Sequence, residues 1–333
     1  MKTNILLVIF LLIANVNFAQ KIKTDAAIIM NSQKLLEIIP DYLQVEIIGE
    51  GFEWTEGPLW LPTENKLIFS DIPKNSIFEW TEKSGTQLYL KPSGYTGKES
   101  RGGEAGSNGL LLTDKNELVL CQHGDRRMAK MNTTLSSPKA DFTTLAGNYN
   151  GKKLNSPNDA VYDKQGNLYF TDPPYGLEKN DKDPLKELDF QGVYKVDKTG
   201  KITLLTKELS RPNGIAFSPD FKILYVANSD PQKAIWMVYD VDENGLLKNG
   251  KLFFDATDKT KTLKGLPDGL KVHRNGWIFA TGPGGVLVFT PEGEHLGTIF
   301  TGEATSNCAF NTDFSELYMT ADDYLVRVKL KTK

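Results

Sequence analysis

A chain of 333 residues with 40% apolar content can form one large domain or two ordinary ones. Its 39 basic and 42 acidic residues leave a net charge of −3, without the clustered basic footprint that a nucleic-acid surface requires. Three His and two Cys, none at zinc-ligand spacing, argue against a soft or borderline metal site.

Residues 1–19 read as a secretory signal peptide. Lys2 supplies the positive end, Ile5 to Ala14 the apolar core, and Ala19 the last residue removed. That core is shorter than the roughly 20 residues a membrane span needs. The expectation is therefore an exported protein, periplasmic or extracellular, without stable membrane association after processing. Residues 20–43 form a leader in which Ser32 caps a short helix through Leu35, Leu36 and Ile39, stopped by Pro40.

From residue 44 to 333 a single grammar repeats. A polar residue followed by Gly or a near equivalent opens an apolar strand, and a polar turn leads to a second apolar strand ending in Asp, Asn or a small residue. The openings are Glu56-Gly57, Asn108-Gly109, Asn158-Asp159, Asn213-Gly214, Asp268-Gly269 and Asn307-Cys308, spaced by 52, 50, 55, 55 and 39 residues. Blade one is predicted at Gly57 to Trp60, Lys66 to Asp71, Ser76 to Trp80 and Thr86 to Leu90. Blade five is predicted at Leu270 to His273, Trp277 to Ala280, Gly285 to Phe289 and His295 to Ile299. Such a period predicts an all-β fold, a six-bladed β-propeller of four-stranded blades. The sixth unit lacks its fourth strand, and Gln44 to Ile48 is the predicted donor that closes the ring. Cys121 and Cys308 fall in apolar strands and are expected to be buried free thiols.

Residues just before the first strand of a propeller blade face the axis at one end. Those residues here are carboxylates and carboxamides, although Asn-Gly and Asp-Gly are also ordinary turn dipeptides. Glu56, Asn158, Asn213 and Asp268 together match a hard divalent cation, Ca²⁺ first, with Zn²⁺, Mg²⁺ or Mn²⁺ also able to bind an all-oxygen set. Two insertions interrupt the repeat, at residues 95–108 and 173–190. Tyr175 in the second is a candidate substrate contact, and a solvated surface loop is the competing reading.

Glu56-Gly57-Pro58-Leu59-Trp60, Ser107-Asn108-Gly109-Leu110, Ser156-Pro157-Asn158-Asp159, Arg211-Pro212-Asn213-Gly214 and Pro267-Asp268-Gly269-Leu270 resemble the senescence-marker-protein/gluconolactonase family of regucalcin-like propellers, its bacterial gluconolactonase branch in particular. The resemblance implies a calcium-dependent lactonase. It implies metal ligation by Glu56, Asn158, Asn213 and Asp268, with Asp268 catalytic as base or nucleophile. It also implies substrate contacts from Asn108, His123 and Arg101. The expected partner is a small-molecule sugar lactone or related ester, acted on by a monomer. Hydrolysis of another lactone or a phosphate ester, or a binding propeller with a structural ion, are the competing functions.

Overall fold

The computed structural model describes residues 21–332 apart from Thr24, Asp41 and Ser100. The expected signal peptide therefore lies outside the described residues. Six antiparallel sheets surround a central axis, with strands in sequence order from the axis outward except where N-terminal strands join the outer edges of blades five and six. The first strands of the blades are Thr55–Leu61, Ser107–Leu112, Ala160–Tyr162, Pro212–Phe217, Leu270–Val272 and Thr305–Phe310. This is the six-bladed propeller that the repeat predicts.

Ring closure follows the expected scheme, with Glu46–Glu50 pairing antiparallel to Tyr324–Lys329 as the fourth strand of blade six. An ionic clasp reinforces it. Arg327 Nε and Nη2 donate to Glu46 Oε2 at 2.9 and 2.6 Å, while Nη1 donates to Glu82 and Glu316.

The leader is more than a helix laid on the outside. Ala27–Met30 adds a fifth strand to blade five, and Lys21–Ile22 adds a fifth to blade six. After them Gln33–Glu37 forms a 3₁₀ turn, with Ser32 Oγ accepting from Lys34 N at 3.4 Å. Leu35, Ile38 and Ile39 are buried against Trp277, Val288, Leu296, Ile299 and Val326. Each such burial contributes about 1.5–3 kcal/mol. The extra strands also cover edges that would otherwise offer unpaired backbone.

Adjacent blades pack face to face through apolar side chains. Leu61, Ile68, Ile77, Leu110 and Leu120 fill the space between blades one and two, and Phe69, Trp80, Tyr318 and Leu325 that between blades six and one. Cys121 and Cys308 are buried free thiols in these interiors, and burial pushes both pKa values up, away from reactivity.

Candidate functional site

The polar-Gly dipeptides are axis contacts rather than hairpin turns. A Cβ at Gly57 would lie 2.2 Å from the carbonyl oxygen of Asn108, and one at Gly214 would lie 2.2 Å from that of Asp268. Only glycine lets one blade entrance approach the next this closely. Hydroxyls stitch the same ring. Ser70 Oγ donates to Asn108 O at 3.0 Å, Thr171 Oγ1 to Asn213 O at 2.7 Å, and Thr281 Oγ1 to Ser306 O at 2.8 Å.

Polar residues at or near the ends of the second strands of blades one, three and four have a related task. Asp172 accepts from the backbone N–H of Asn155 and Ser156, both at 2.8 Å, fixing the loop that delivers Asn158. Asp71 likewise accepts from Glu53 and Trp54 ahead of Glu56, and Asn228 Oδ1 from Arg211 N ahead of Asn213. Glu56, Asn158 and Asn213 thus start from loops anchored by the neighbouring strand.

Together these anchors build a cavity of about 500 Å³ at the entrance end of the axis. Glu56, Asn108, Asn158, Asn213 and Asp268 all line it, one from each of five blades. Tyr175 reaches the same cavity from the second insertion. Its hydroxyl is pushed to a higher pKa by burial, with the charge of Asp268 adding to the effect, and so stays protonated. Asn307, the sixth entrance residue, serves the floor: its Nδ2 donates to Glu56 Oε2 at 3.2 Å and its Oδ1 accepts from Lys271 Nζ at 3.2 Å.

Two candidates lie elsewhere. Arg101 borders a neighbouring cleft, where its guanidinium donates to the carbonyls of Gly124 and Gly176 and lies over the Tyr95 ring. Five donors in a rigid fork are well matched to converging backbone oxygens, and this commitment turns the side chain away from the central cavity. His123 is fully buried behind the wall, its Nδ1 3.1 Å from Glu104 Oε2. Glu104, beside it, lines the cavity.

Sequence reasoning missed several lining residues. Glu104 comes from the first insertion, Trp54 precedes blade one, and Ser229 is the penultimate residue of the second strand of blade four. Leu263 and Leu266 supply an apolar wall from the loop between blades four and five. None sits in the repeating pattern. The one usable signal was for Ser229, which occupies the place after the capping Asn228.

The electrostatics are those of crowded acids. Burial raises the pKa of Asp268 well above the carboxylate range, helped by the charges of Glu56, Glu104 and Asp159. Burial likewise raises Glu56, against the N–H of Gly57, which donates to its Oε2 at 2.7 Å. Among the described residues no group of three or more His, Cys, Asp or Glu forms a metal cluster. The set here instead mixes two carboxylates with amides. Asn108 Oδ1, Asn158 Oδ1 and Asp268 Oδ1 are buried without any hydrogen-bond partner. Asn213 Nδ2 donates to Ser229 Oγ at 3.0 Å, committing its nitrogen and leaving its oxygen as the atom that could ligate an ion. An unpaired buried acceptor costs about 1–3 kcal/mol. Several of them beside two carboxyls, all oxygen, fit a hard divalent cation.

Fold and site together define a class: six-bladed propellers that converge carboxylate and carboxamide oxygens on one end of the axis. The chain belongs to the SMP-30/gluconolactonase/LRE-like family, whose model matches residues 54–323. It is 38% identical over 312 residues to the gluconolactonase of Zymomonas mobilis, covering 90% of this chain and 85% of that protein. The structure of a gluconolactonase from Xanthomonas campestris superposes with a TM-score of 0.80 at 27% identity, covering 94% of this chain and 98% of that one. A calcium-binding regucalcin from Agrobacterium tumefaciens shares the fold, with a TM-score of 0.64 at 19% identity over 86% of this chain and 94% of that one.

Proposed function

We propose that the protein is a metal-dependent lactonase that opens a sugar lactone of the gluconolactone kind. The observation carrying this reading is the convergence of Glu56, Asn158, Asn213 and Asp268, with orphaned oxygens among them, on a cavity large enough for one sugar ring. The 38% identity to a gluconolactonase supports the substrate class.

Glu56, Asn158, Asn213 and Asp268 would hold the ion, Ca²⁺ by the character of the donors. A bound divalent cation supplies Lewis acidity for an ester carbonyl and for the oxyanion that follows. The remaining work falls to the chain. Asp268 Oδ1, without a hydrogen-bond partner, is the available base for a water attacking the carbonyl carbon. Its desolvated setting makes it a stronger base than a solvated carboxylate. Tyr175, kept protonated, donates to a substrate oxygen, as does the amide nitrogen of Asn108. Trp54, Leu263 and Leu266 limit the entry of bulk water.

Proton release from glucono-1,5-lactone at near-neutral pH tests the reading. Chelator-stripped protein should be inactive, Ca²⁺ should restore turnover, and Asp268→Asn should lower kcat at least about 10³-fold with the fold intact. No turnover in any sample would refute the substrate assignment. A single turnover in ¹⁸O-water separates the two roles of Asp268: label in the released acid alone supports the base, and label in the Asp268 carboxyl identifies a nucleophile. Export belongs to the same proposal, and a mature N-terminus after Ala19 in the secreted fraction is the expected finding.

A further inference from the structure

We propose that Glu104 is a substrate-binding residue whose carboxylate, held at the cavity wall by His123, accepts hydrogen bonds from the hydroxyls of a neutral polyhydroxylated ligand. The proposal rests on the lactonase reading of this cavity and specifies what the non-reacting part of the ligand must carry.

Glu104 belongs to the insertion between blades one and two, outside the repeating motif, yet its side chain lines the same cavity as Glu56 and Asp268. About a third of that side chain is exposed, 35%, so an oxygen remains open to a ligand. Its other side is fixed. His123 lies fully buried at the end of a blade-two strand, with Nδ1 3.1 Å from Glu104 Oε2. Gly176 packs closely against the His123 backbone and Cβ, since a Cβ there would lie 2.7 Å from the His123 Cβ. Neither ring nitrogen makes a hydrogen bond of regular geometry. The Glu104 carboxylate is thus the polar group closest to this buried imidazole, its Oε2 set beside Nδ1.

The chemistry of the walls then selects the ligand. Leu263, Leu266, Trp54 and Pro231 supply apolar surface and no acceptors. A carboxylate is acceptor-only when ionised and can take two hydroxyl donors at once. An ester with an alkyl body would desolvate Glu104 without offering a donor, which is costly. A phosphate ester would bring negative charge toward a group whose own charge already raises the pKa values of Glu56 and Asp268. A ring bearing several hydroxyls satisfies the site on both counts.

The test compares two six-membered lactones, glucono-1,5-lactone and the hydroxyl-free δ-valerolactone, on Ca²⁺-loaded wild type and Glu104→Gln. The preference for the hydroxylated lactone in kcat/KM should fall at least tenfold in the variant, with the loss carried mainly by KM. Equal losses on both lactones would overturn the proposal. Calorimetry with 1,5-anhydro-D-glucitol, a cyclic polyol that cannot be hydrolysed, separates this inference from the lactonase reading. Binding to wild type with at least tenfold weaker binding to Glu104→Gln supports it even if no lactone is turned over. Unchanged affinity, or no binding to wild type, overturns it. His123 acts as a positioning residue. His123→Asn, which retains a donor near the Nδ1 position, should preserve more of the polyol affinity than His123→Leu among variants of equal melting temperature. Indistinguishable affinities for the two would remove His123 from the account.

Discussion

At single side chains the site turns on oxygen atoms without partners and on carboxyls forced together. Burial pushes Glu56 up to about 7, and burial pushes Asp172 up to about 7 against the two N–H groups it accepts. Ordinary values are about 4.3 for Glu and 3.9 for Asp. Between those values and about 7 the folded metal-free chain holds protons that the unfolded chain has released. The resulting stabilisation is complete below the ordinary range and is lost as pH rises through 7. Melting of chelator-treated protein should therefore fall in temperature from pH 5 to pH 8, and a rise would contradict this assignment. Asp172→Ala should destabilise by about 2–4 kcal/mol in urea unfolding, because two buried N–H groups lose their acceptor. Much at this scale was legible in the sequence, since Glu56, Asn158, Asn213 and Asp268 share a place in the repeat and so share a place on the axis. Glu104 was not legible, because an insertion carries no register. The place of Arg101 was not legible for a related reason: the carbonyls of Gly124 and Gly176 to which it donates come together only when two loops fold against each other.

At the level of strands and loops, the Asn-Gly and Asp-Gly pairs show how one dipeptide can serve two ends. In a hairpin the glycine would supply positive φ; here Gly214 is needed because the backbone of the next blade lies against it. Gly214→Ala should cost at least about 2 kcal/mol, since the obstructing atom is a backbone carbonyl that cannot swing aside. Gly147→Ala, whose Cβ would make ordinary contacts with Thr144 Cγ2 at 3.5 Å and Arg127 Cβ at 3.7 Å, should change stability by less than about 0.5 kcal/mol. Equal costs in chemical denaturation would remove the close approach as the reason for the motif. The leader strands were missed at this same scale. Ala27–Met30 is a short apolar run with no turn partner of its own, and its pairing with His295–Phe300 spans almost the whole chain. Local pattern reports strand propensity but not which distant edge needs covering.

For the whole molecule, closure is the decisive feature, and it was readable by arithmetic: the sixth unit was one strand short and the N-terminus had one to spare. The structure adds the charge that secures it. Arg327 is nearly enclosed among Glu46, Glu82 and Glu316 and stacks over Trp80. Breaking a buried pair by removing one partner costs about 3–5 kcal/mol. Glu46→Gln should come near 3 kcal/mol, since two other carboxylates remain. A loss under 1 kcal/mol in equilibrium unfolding would show that backbone pairing alone holds the ring shut. Five blades must be fixed by this closure before their entrance residues share one cavity, so ring integrity and site geometry are one property.

That shared cavity makes ion stoichiometry the most direct measurement. Wild type, Glu56→Gln and Asp268→Asn would be equilibrated with micromolar Ca²⁺ at pH 8, passed through a desalting column and assayed for bound metal by mass spectrometry, with circular dichroism confirming the fold. The account predicts about one ion per wild-type chain and less than about a tenth of one in each variant. Full occupancy in both variants, or no ion in folded wild type, would contradict an ion centre built by the blade entrances.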